Sequence, residues 1–304
     1  MIQLDTNKES LDTSIDICKF LLDEVGAYIY MKNVDKKYVY VNELTCKLFN
    51  QDFEQIIGYD DNKFFDFTDS SELTDNDTVV LIHGKTITAE EVNTVKSTGD
   101  VRVYRTVKKP IYNNHQKIIG LFGISTDITD IHNLKEELRK QAITDSLTGL
   151  YNRRFFLETA KQSFSESKRH SNPFSLIIID IDLFKKVNDT FGHATGDAVI
   201  TFIGECISKL LRNEDVLARV GGEEFAILLP HTAIDIAHSL AENIRSSISK
   251  QAISGKWEGK IHPKISLGVT SCKAEDTEFD AMYLRADSAL YEAKHKGRNR
   301  VFVK

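Results

Sequence analysis

Phe174-Ser175-Leu176-Ile177-Ile178-Ile179-Asp180-Ile181-Asp182 decides how the second half of this chain folds. An apolar run ends in two carboxylates spaced by two. A segment apolar on both faces reads as a buried central strand. If the strand continues, a side-chain period of two puts Asp180 and Asp182 on one face at its end. Carboxylates beside a backbone carbonyl suit Mg²⁺, a hard cation often shared with phosphates. Asp182 could equally cap a helix starting at Leu183.

Around that strand, helix and strand patterns alternate. Helices are expected at 151–168, 183–190, 196–212, 232–250 and 279–296. Strands are expected at Val216–Val220, Phe225–Leu229, 263–270 and Val301–Val303. The two strands around Gly221–Glu224 are close enough in sequence to form a hairpin. A helix-covered sheet is expected, mixed rather than purely parallel.

The first half reads differently. Residues 8–24 place Leu11, Ile15, Cys18 and Leu22 on one helical face. Strand-like runs follow at Ala27–Lys32 and Lys37–Val41, and a helix at 43–57. After a polar, acidic middle come Val101–Lys108 and Lys117–Thr126, with Pro110 and Asn113–Asn114 between them, which reads as another hairpin. Strands, short helices and strands again make an α+β domain. A helix across 128–147 then carries Ile131, Leu134 and Leu138 on a narrow apolar seam, suited to a short coiled coil or to packing on its own domain.

Composition is that of an ordinary folded protein: 304 residues, 41% hydrophobic and 28% charged, net charge -6. The first 132 residues hold 14 basic and 22 acidic side chains; the remainder hold 25 and 23. Neither half has the basic excess of a protein that grips nucleic-acid polymers. No apolar run approaches the roughly 20 residues of a membrane span, and the N-terminus lacks a signal-peptide pattern. A cytoplasmic protein is expected. Cys18, Cys46, Cys206 and Cys272 are far apart and read as free thiols.

Two further stretches carry chemistry. In Arg219-Val220-Gly221-Gly222-Glu223-Glu224-Phe225, two glycines allow a tight turn that presents two acids. Such a turn is either solvated or neutralised by a cation. If its strands flank 174–180, Glu223 and Glu224 approach Asp180, and three carboxylates at one strand edge call for divalent metal. That arrangement fits phosphoryl or nucleotidyl transfer. Lys294-His295-Lys296-Gly297-Arg298-Asn299-Arg300 puts cations at a helix end. They would offset the helix dipole, with Gly297 as the C′ residue, or hold a triphosphate.

These stretches together resemble a known family. Residues 142–304 are similar to a GGDEF domain, the diguanylate cyclase module. Gly221-Gly222-Glu223-Glu224-Phe225 resembles the GGEEF form of its name motif, and Asp145 to Arg154 its opening motif. Asp180 to Lys185, Asn188-Asp189, Phe191-Gly192-His193 and Gly196-Asp197 resemble its first-strand and helix motif, and Lys294 to Asn299 its closing motif.

The resemblance implies a sheet like that of nucleotide cyclases and polymerase palms, acting on GTP. Asp180, the carbonyl of Ile181, Glu223 and Glu224 would hold Mg²⁺ or Mn²⁺. Glu223 would be the base, and Lys185 would stabilise phosphate charge. Asn188, His193 and Asp197 would lie on the guanine side; Asp197 can accept from guanine N1–H and N2–H₂, a pattern adenine does not offer. Lys294 and Arg298 would hold the terminal phosphates. Arg212 and Asp215 stand where the family carries an RxxD site that binds cyclic di-GMP as inhibitor. Catalysis would need a homodimer.

The front half resembles a PAS domain, with Ile29–Asn42 like its opening hairpin and Asp127-Ile128-Thr129 like its exit. Its ligand is not legible. His83 and His115 could serve as haem ligands but read rather as surface or turn histidines, Cys18 and Cys46 read as small core residues, and no conclusive flavin motif is seen. The expected organisation is an amphipathic helix at 1–25, a PAS-like domain at 26–129, a signalling linker at 130–141 and the catalytic domain at 142–304. A cyclic di-GMP receptor with an idle active site, or a scaffold recruiting a partner, are the alternatives.

Overall fold

The computed structural model describes residues 14–66, 76–254 and 259–304. The chain divides into two compact units, Met1–Glu136 and Glu137–Lys304. The first contains α1 (Ser14–Glu24), β1 (Tyr28–Asn33), β2 (Tyr38–Val41), α2 (Glu43–Phe49), α3 (Phe53–Ile56), a 3₁₀ turn (Asp61–Lys63), β3 (Phe65–Asp66), α4 (Asn76–His83), β4 (Ile87–Val95), β5 (Val101–Tyr112) and β6 (Ile118–Asp127). Helix α5 (Thr129–Ile143) runs across the boundary. Residues 8–13 of the expected first helix, and the side chain of Cys18, lie outside the described residues.

The strands of the first unit form one antiparallel sheet in the order β2-β1-β6-β5-β4-β3. Asn42 ties its start together. Its Oδ1 accepts from Ile29 N at 3.1 Å and caps α2 through Thr45 N at 3.2 Å. Its Nδ2 donates to the carbonyls of Leu22 and Ala27, both at 2.8 Å.

Three expectations for this unit are corrected. The helix at 43–57 is two helices, because Asn50 takes the left-handed conformation (φ 50°) and Asp52 starts a new cap. Pro110 does not mark the turn: it sits inside β5 opposite Leu121, and the chain reverses at 113–116. The acidic middle contains α4 and the nine-residue β4. Cys46 is half-buried and packs against the core of this unit. His83 and His115 are exposed, as expected of surface histidines.

The second unit contains β7 (Tyr151–Asn152), α6 (Arg153–His170), β8 (Phe174–Ile181), α7 (Phe184–Phe191), α8 (His193–Ser208), β9 (Val216–Arg219), β10 (Glu224–Pro230), α9 (Ile234–Lys250), β11 (Ile265–Ser271), α10 (Phe279–His295) and β12 (Val301–Val303). Its sheet runs β12-β11-β8-β10-β9-β7. The central pairs are antiparallel; β11–β12 and β7–β9 are parallel.

All eight residues of β8 are buried. Ile177, Ile179 and Ile181 pack with residues of α8 and α9, whereas Leu176 and Ile178 pack with α6 and α10. That two-sided burial is why the sequence reads as a continuous apolar run, and it makes the C-terminal end of β8 a rigid platform.

Candidate active site

Asp180 is the last-but-one residue of β8, and the β8–β10 register sets Glu224 directly opposite it. Directly opposed residues of antiparallel strands place their side chains on the same face, with Cβ atoms about 5 Å apart. Glu223, in the turn, accepts from Ile181 N through its carbonyl at 3.2 Å. The three acids of the prediction therefore gather at one strand end.

Burial raises the Asp180 carboxyl to about 6; Lys294 opposes the shift, and Glu223 and Glu224 add to it. Lys294 Nζ lies 2.7 Å from Asp180 Oδ2. Asp180 thus faces an ammonium contributed by the end of α10. Among the described residues no three Asp, Glu, His or Cys side chains stand as a closed metal-ligand cluster. The oxygen donors of Asp180, Glu223 and Glu224 nevertheless match what Mg²⁺ or Mn²⁺ prefers. A buried carboxylate that resists ionisation between two acids is also the kind a divalent cation relieves.

Asp182 plays a different part from either expectation. Its Oδ1 accepts from Ser266 Oγ at 2.7 Å, and its Oδ2 accepts from Asn299 N at 2.8 Å. It neither caps α7 nor joins the acids. It ties the segment after α10, including the left-handed Arg298 (φ 59°) and Asn299 (φ 46°), to the strand end. Between β8 and α7 the chain turns through Leu183 at φ 56°, without a side-chain cap.

The hairpin turn is braced from outside. Arg219 donates from Nε and Nη2 to the Gly222 carbonyl at 3.1 and 2.7 Å, and from Nη1 to Asp145 Oδ1 at 3.1 Å. Asp145 also accepts from Thr148 N and Oγ1 at 3.0 and 2.8 Å. Burial alone would raise the Asp145 carboxyl, but the Thr148 hydrogen bonds and the Arg219 guanidinium hold it below the usual range. The opening motif, which sequence reading left without a role, is a brace for the acidic turn. No signal in the sequence pairs Arg219 with Asp145, which stand 74 residues apart.

The residues expected to lie on the guanine side, Asn188, His193 and Asp197, belong to α7 and the first turns of α8. A Cβ on Gly196 would come within 1.9 Å of Asn188 Oδ1, so the Asn188 amide fills the space that a side chain at 196 would need. Asn188 Oδ1 is buried without a hydrogen-bond partner among the described residues. His193 and Asp197 lie one turn apart on the start of α8, both exposed, and Lys185 is exposed in the first turn of α7.

Arg212 and Asp215 are not part of this site. They close a turn before β9, with Arg212 N donating to Asp215 Oδ2 at 2.9 Å, at the opposite end of that strand from the acidic turn. Burial raises the Asp215 carboxyl. Among the described residues no helix is long and apolar enough to cross a membrane.

Comparison with known proteins agrees with this geometry. Residues 142–300 match the family described as diguanylate cyclase, GGDEF domain, and residues 22–133 match a PAS fold family. A diguanylate cyclase of Vibrio cholerae is 39% identical over 305 residues, covering 100% of this chain and 94% of that protein. Diguanylate cyclase DgcM of Escherichia coli is 38% identical over 206 residues, 67% of this chain and 48% of its own length.

Among solved structures, the coiled coil and GGDEF domain of DgcB from Caulobacter crescentus, in complex with c-di-GMP, aligns with a TM-score of 0.56 at 31% identity, covering 58% of this chain and 93% of that one. Diguanylate cyclase SiaD of Pseudomonas aeruginosa, in complex with its activator SiaC, gives 0.53 at 37%, covering 57% and 66%. The chain belongs to the GGDEF family of diguanylate cyclases and carries a PAS fold before its catalytic domain.

Proposed function

We propose that two catalytic units face each other, each holding one GTP, and close a cyclic dinucleotide between them. Each 3′-oxygen attacks the α-phosphorus of the opposite nucleotide. One P–O bond forms, the bond to the bridging oxygen of the β-phosphate breaks, and pyrophosphate leaves. Two such steps give one cyclic di-GMP and two pyrophosphates. The observation that carries this reading is the buried Asp180 carboxylate, raised to about 6, directly across the ladder from Glu224 and 2.7 Å from Lys294.

Asp180, the Ile181 carbonyl, Glu223 and Glu224 would hold Mg²⁺ or Mn²⁺. When bound, such ions offset phosphate charge and acidify the attacking hydroxyl. Glu223 takes the 3′-proton. Lys294 exchanges Asp180 for the terminal phosphates, with Arg298 beside it, and Lys185 offsets charge on the transferring phosphoryl group. Asn188, His193 and Asp197 hold the guanine side; the orphaned Asn188 Oδ1 is an acceptor awaiting a donor. The protein contributes mainly position and electrostatics.

Regulation follows from the same arrangement. The α5 seam of Ile131, Leu134 and Leu138 is exposed, and pairing it between two copies would set how the catalytic units meet. Insertions after Arg139 should then change activity with helical phase; a flat response would exclude the linker from control. The exposed Arg212 guanidinium, with Asp215, forms the product site. Arg212→Ala should relieve inhibition by added cyclic di-GMP at unchanged initial rate.

The site assignment is tested with Glu223→Gln. Turnover of GTP should vanish while circular dichroism and cyclic di-GMP binding at Arg212 persist. Robust turnover would remove Glu223 from the chemistry.

A further inference from the structure

We propose that the first unit binds a small organic ammonium, a primary amine on an apolar or aromatic frame, inside its sheet. A cavity of about 350 Å³ opens there, at the small end of the roughly 300–1,000 Å³ range of small-molecule pockets. Strand alternation builds its floor. Glu91 and Asn93 of β4, and Tyr104, Thr106 and Lys108 of β5, each recur every second residue on one face. Tyr28 and Tyr30 of β1 extend the same face.

Among the described residues, charge within the cavity is unbalanced. Its walls carry Asp35, Asp60, Asp61, Asp77 and Glu91 against Lys36 and Lys108. Lys32, beneath the wall, adds a third cation. These lysines are already engaged. Lys32 bonds Asp61 and, at 2.7 Å, Asp77. Lys108 lies 2.7 Å from Asp77 and 2.9 Å from Glu91. Burial alone would discharge both amines, but Asp61 and Asp77 beside Lys32, and Tyr30, Asp77 and Glu91 beside Lys108, outweigh it and hold them above the usual range. An arriving anion would have to strip Lys32 or Lys108 from its carboxylates, or compete with the Thr78 hydroxyl 2.7 Å from Lys36 Nζ. An arriving cation meets acids in excess.

Two orphaned groups name the missing partner more closely. Asn93 Oδ1 and the Tyr104 hydroxyl are buried with no hydrogen-bond partner among the described residues, and both residues line the cavity. Asn93 is 9% exposed and Tyr104 3%. A buried polar atom left unpaired costs about 1–3 kcal/mol. A carbonyl oxygen can only accept, so its partner must donate. An ammonium N–H supplies that donor, and its charge is complemented by Glu91, two residues away on the same strand face. The aromatic wall of Tyr28, Tyr104 and Phe65, with ring pairs at 5.5 and 6.3 Å, offers faces for the carbon frame and for the cation.

The test uses the full chain and three probes of one shape: benzylamine, benzyl alcohol and benzoate. Calorimetric titration at neutral pH should show saturable one-to-one binding of benzylamine, at least tenfold tighter than either analogue, a difference of about 1.4 kcal/mol. Asn93→Leu should weaken benzylamine at least tenfold while the melting temperature holds or rises, since it removes an unpaired polar atom. Glu91→Gln should weaken it while leaving benzyl alcohol unchanged. Benzoate binding as tightly as benzylamine, no benzylamine binding at millimolar concentration, or undiminished binding by Asn93→Leu would each overturn the proposal. The readout is binding, so it fails or succeeds apart from GTP turnover.

Discussion

Gly196→Ala separates nucleotide positioning from fold stability. The added methyl would stand 1.9 Å from Asn188 Oδ1 and 3.0 Å from both Asn188 Cγ and Phe184 Cζ. The first contact is impossible, and the atom that must yield is the end of a short amide side chain. Asn188 therefore swings from its place, while α8 gains up to about 1 kcal/mol of helix propensity from replacing glycine. Global stability should stay within about 1 kcal/mol of the parent. Asn188 Oδ1 makes no internal hydrogen bond to lose. If that oxygen meets the guanine, displacing it removes a hydrogen bond and leaves a donor unpaired, about 1.4–2.8 kcal/mol or ten- to a hundredfold in kcat/KM for GTP. Asn188→Ala should cost the same, and the double variant no more, because both remove one contact. Pyrophosphate release at varied GTP, with melting temperatures alongside, measures it. Gly196→Ala with parental kcat/KM beside an impaired Asn188→Ala would refute the reasoning, as would costs that simply add.

Asp180 keeps a proton up to about pH 6, so divalent-ion affinity in the presence of nucleotide should be about tenfold weaker at pH 5 than at pH 7 or above; a pH-independent metal requirement would contradict this. Because its folded pKa is raised, ionising Asp180 costs the fold nothing below the ordinary value of 3.8 and the full amount above about 6. Without metal, Asp180→Asn should therefore raise the melting temperature at pH 7.5 but not at pH 3.5. Arg219→Ala frees the Gly222 carbonyl and strands Asp145; kcat should fall about tenfold or more with KM for GTP less affected, as loss of a positioning brace predicts. Asn42→Ala removes bonds joining α1, β1 and α2 and should destabilise the first unit by about 2–3 kcal/mol in urea titration, since backbone donors and carbonyls are left buried.

Sequence reading succeeded where burial dictates residue type. Strand β8 was legible because every residue in it is buried, so its composition could not hide. The hairpin around Gly221–Glu224 was legible from its glycines. Strand β4 was missed because Thr-Ala-Glu-Glu-Val-Asn-Thr breaks the apolar alternation, and it does so for a physical reason: Glu91 and Asn93 face a polar cavity rather than an oily core. The break at Asn50 depends on one left-handed residue inside a helical pattern. At the catalytic end, the residue types were readable but their pairings were not. Asp182 is fixed by Ser266 and Asn299, Asp145 by Arg219, and Asp180 by Lys294, all distant in sequence. Each local motif fits a bland reading alone, and only the sheet register brings Asp180 opposite Glu224.

The reaction itself is tested most directly by following purified protein with GTP and Mg²⁺ or Mn²⁺, quantifying every nucleotide product by mass alongside pyrophosphate. The account predicts cyclic di-GMP as the product, two pyrophosphates for each one formed, and a specific rate that falls on dilution as paired catalytic units separate. GTP left intact, or converted to GDP or GMP without any cyclic dinucleotide, would contradict it.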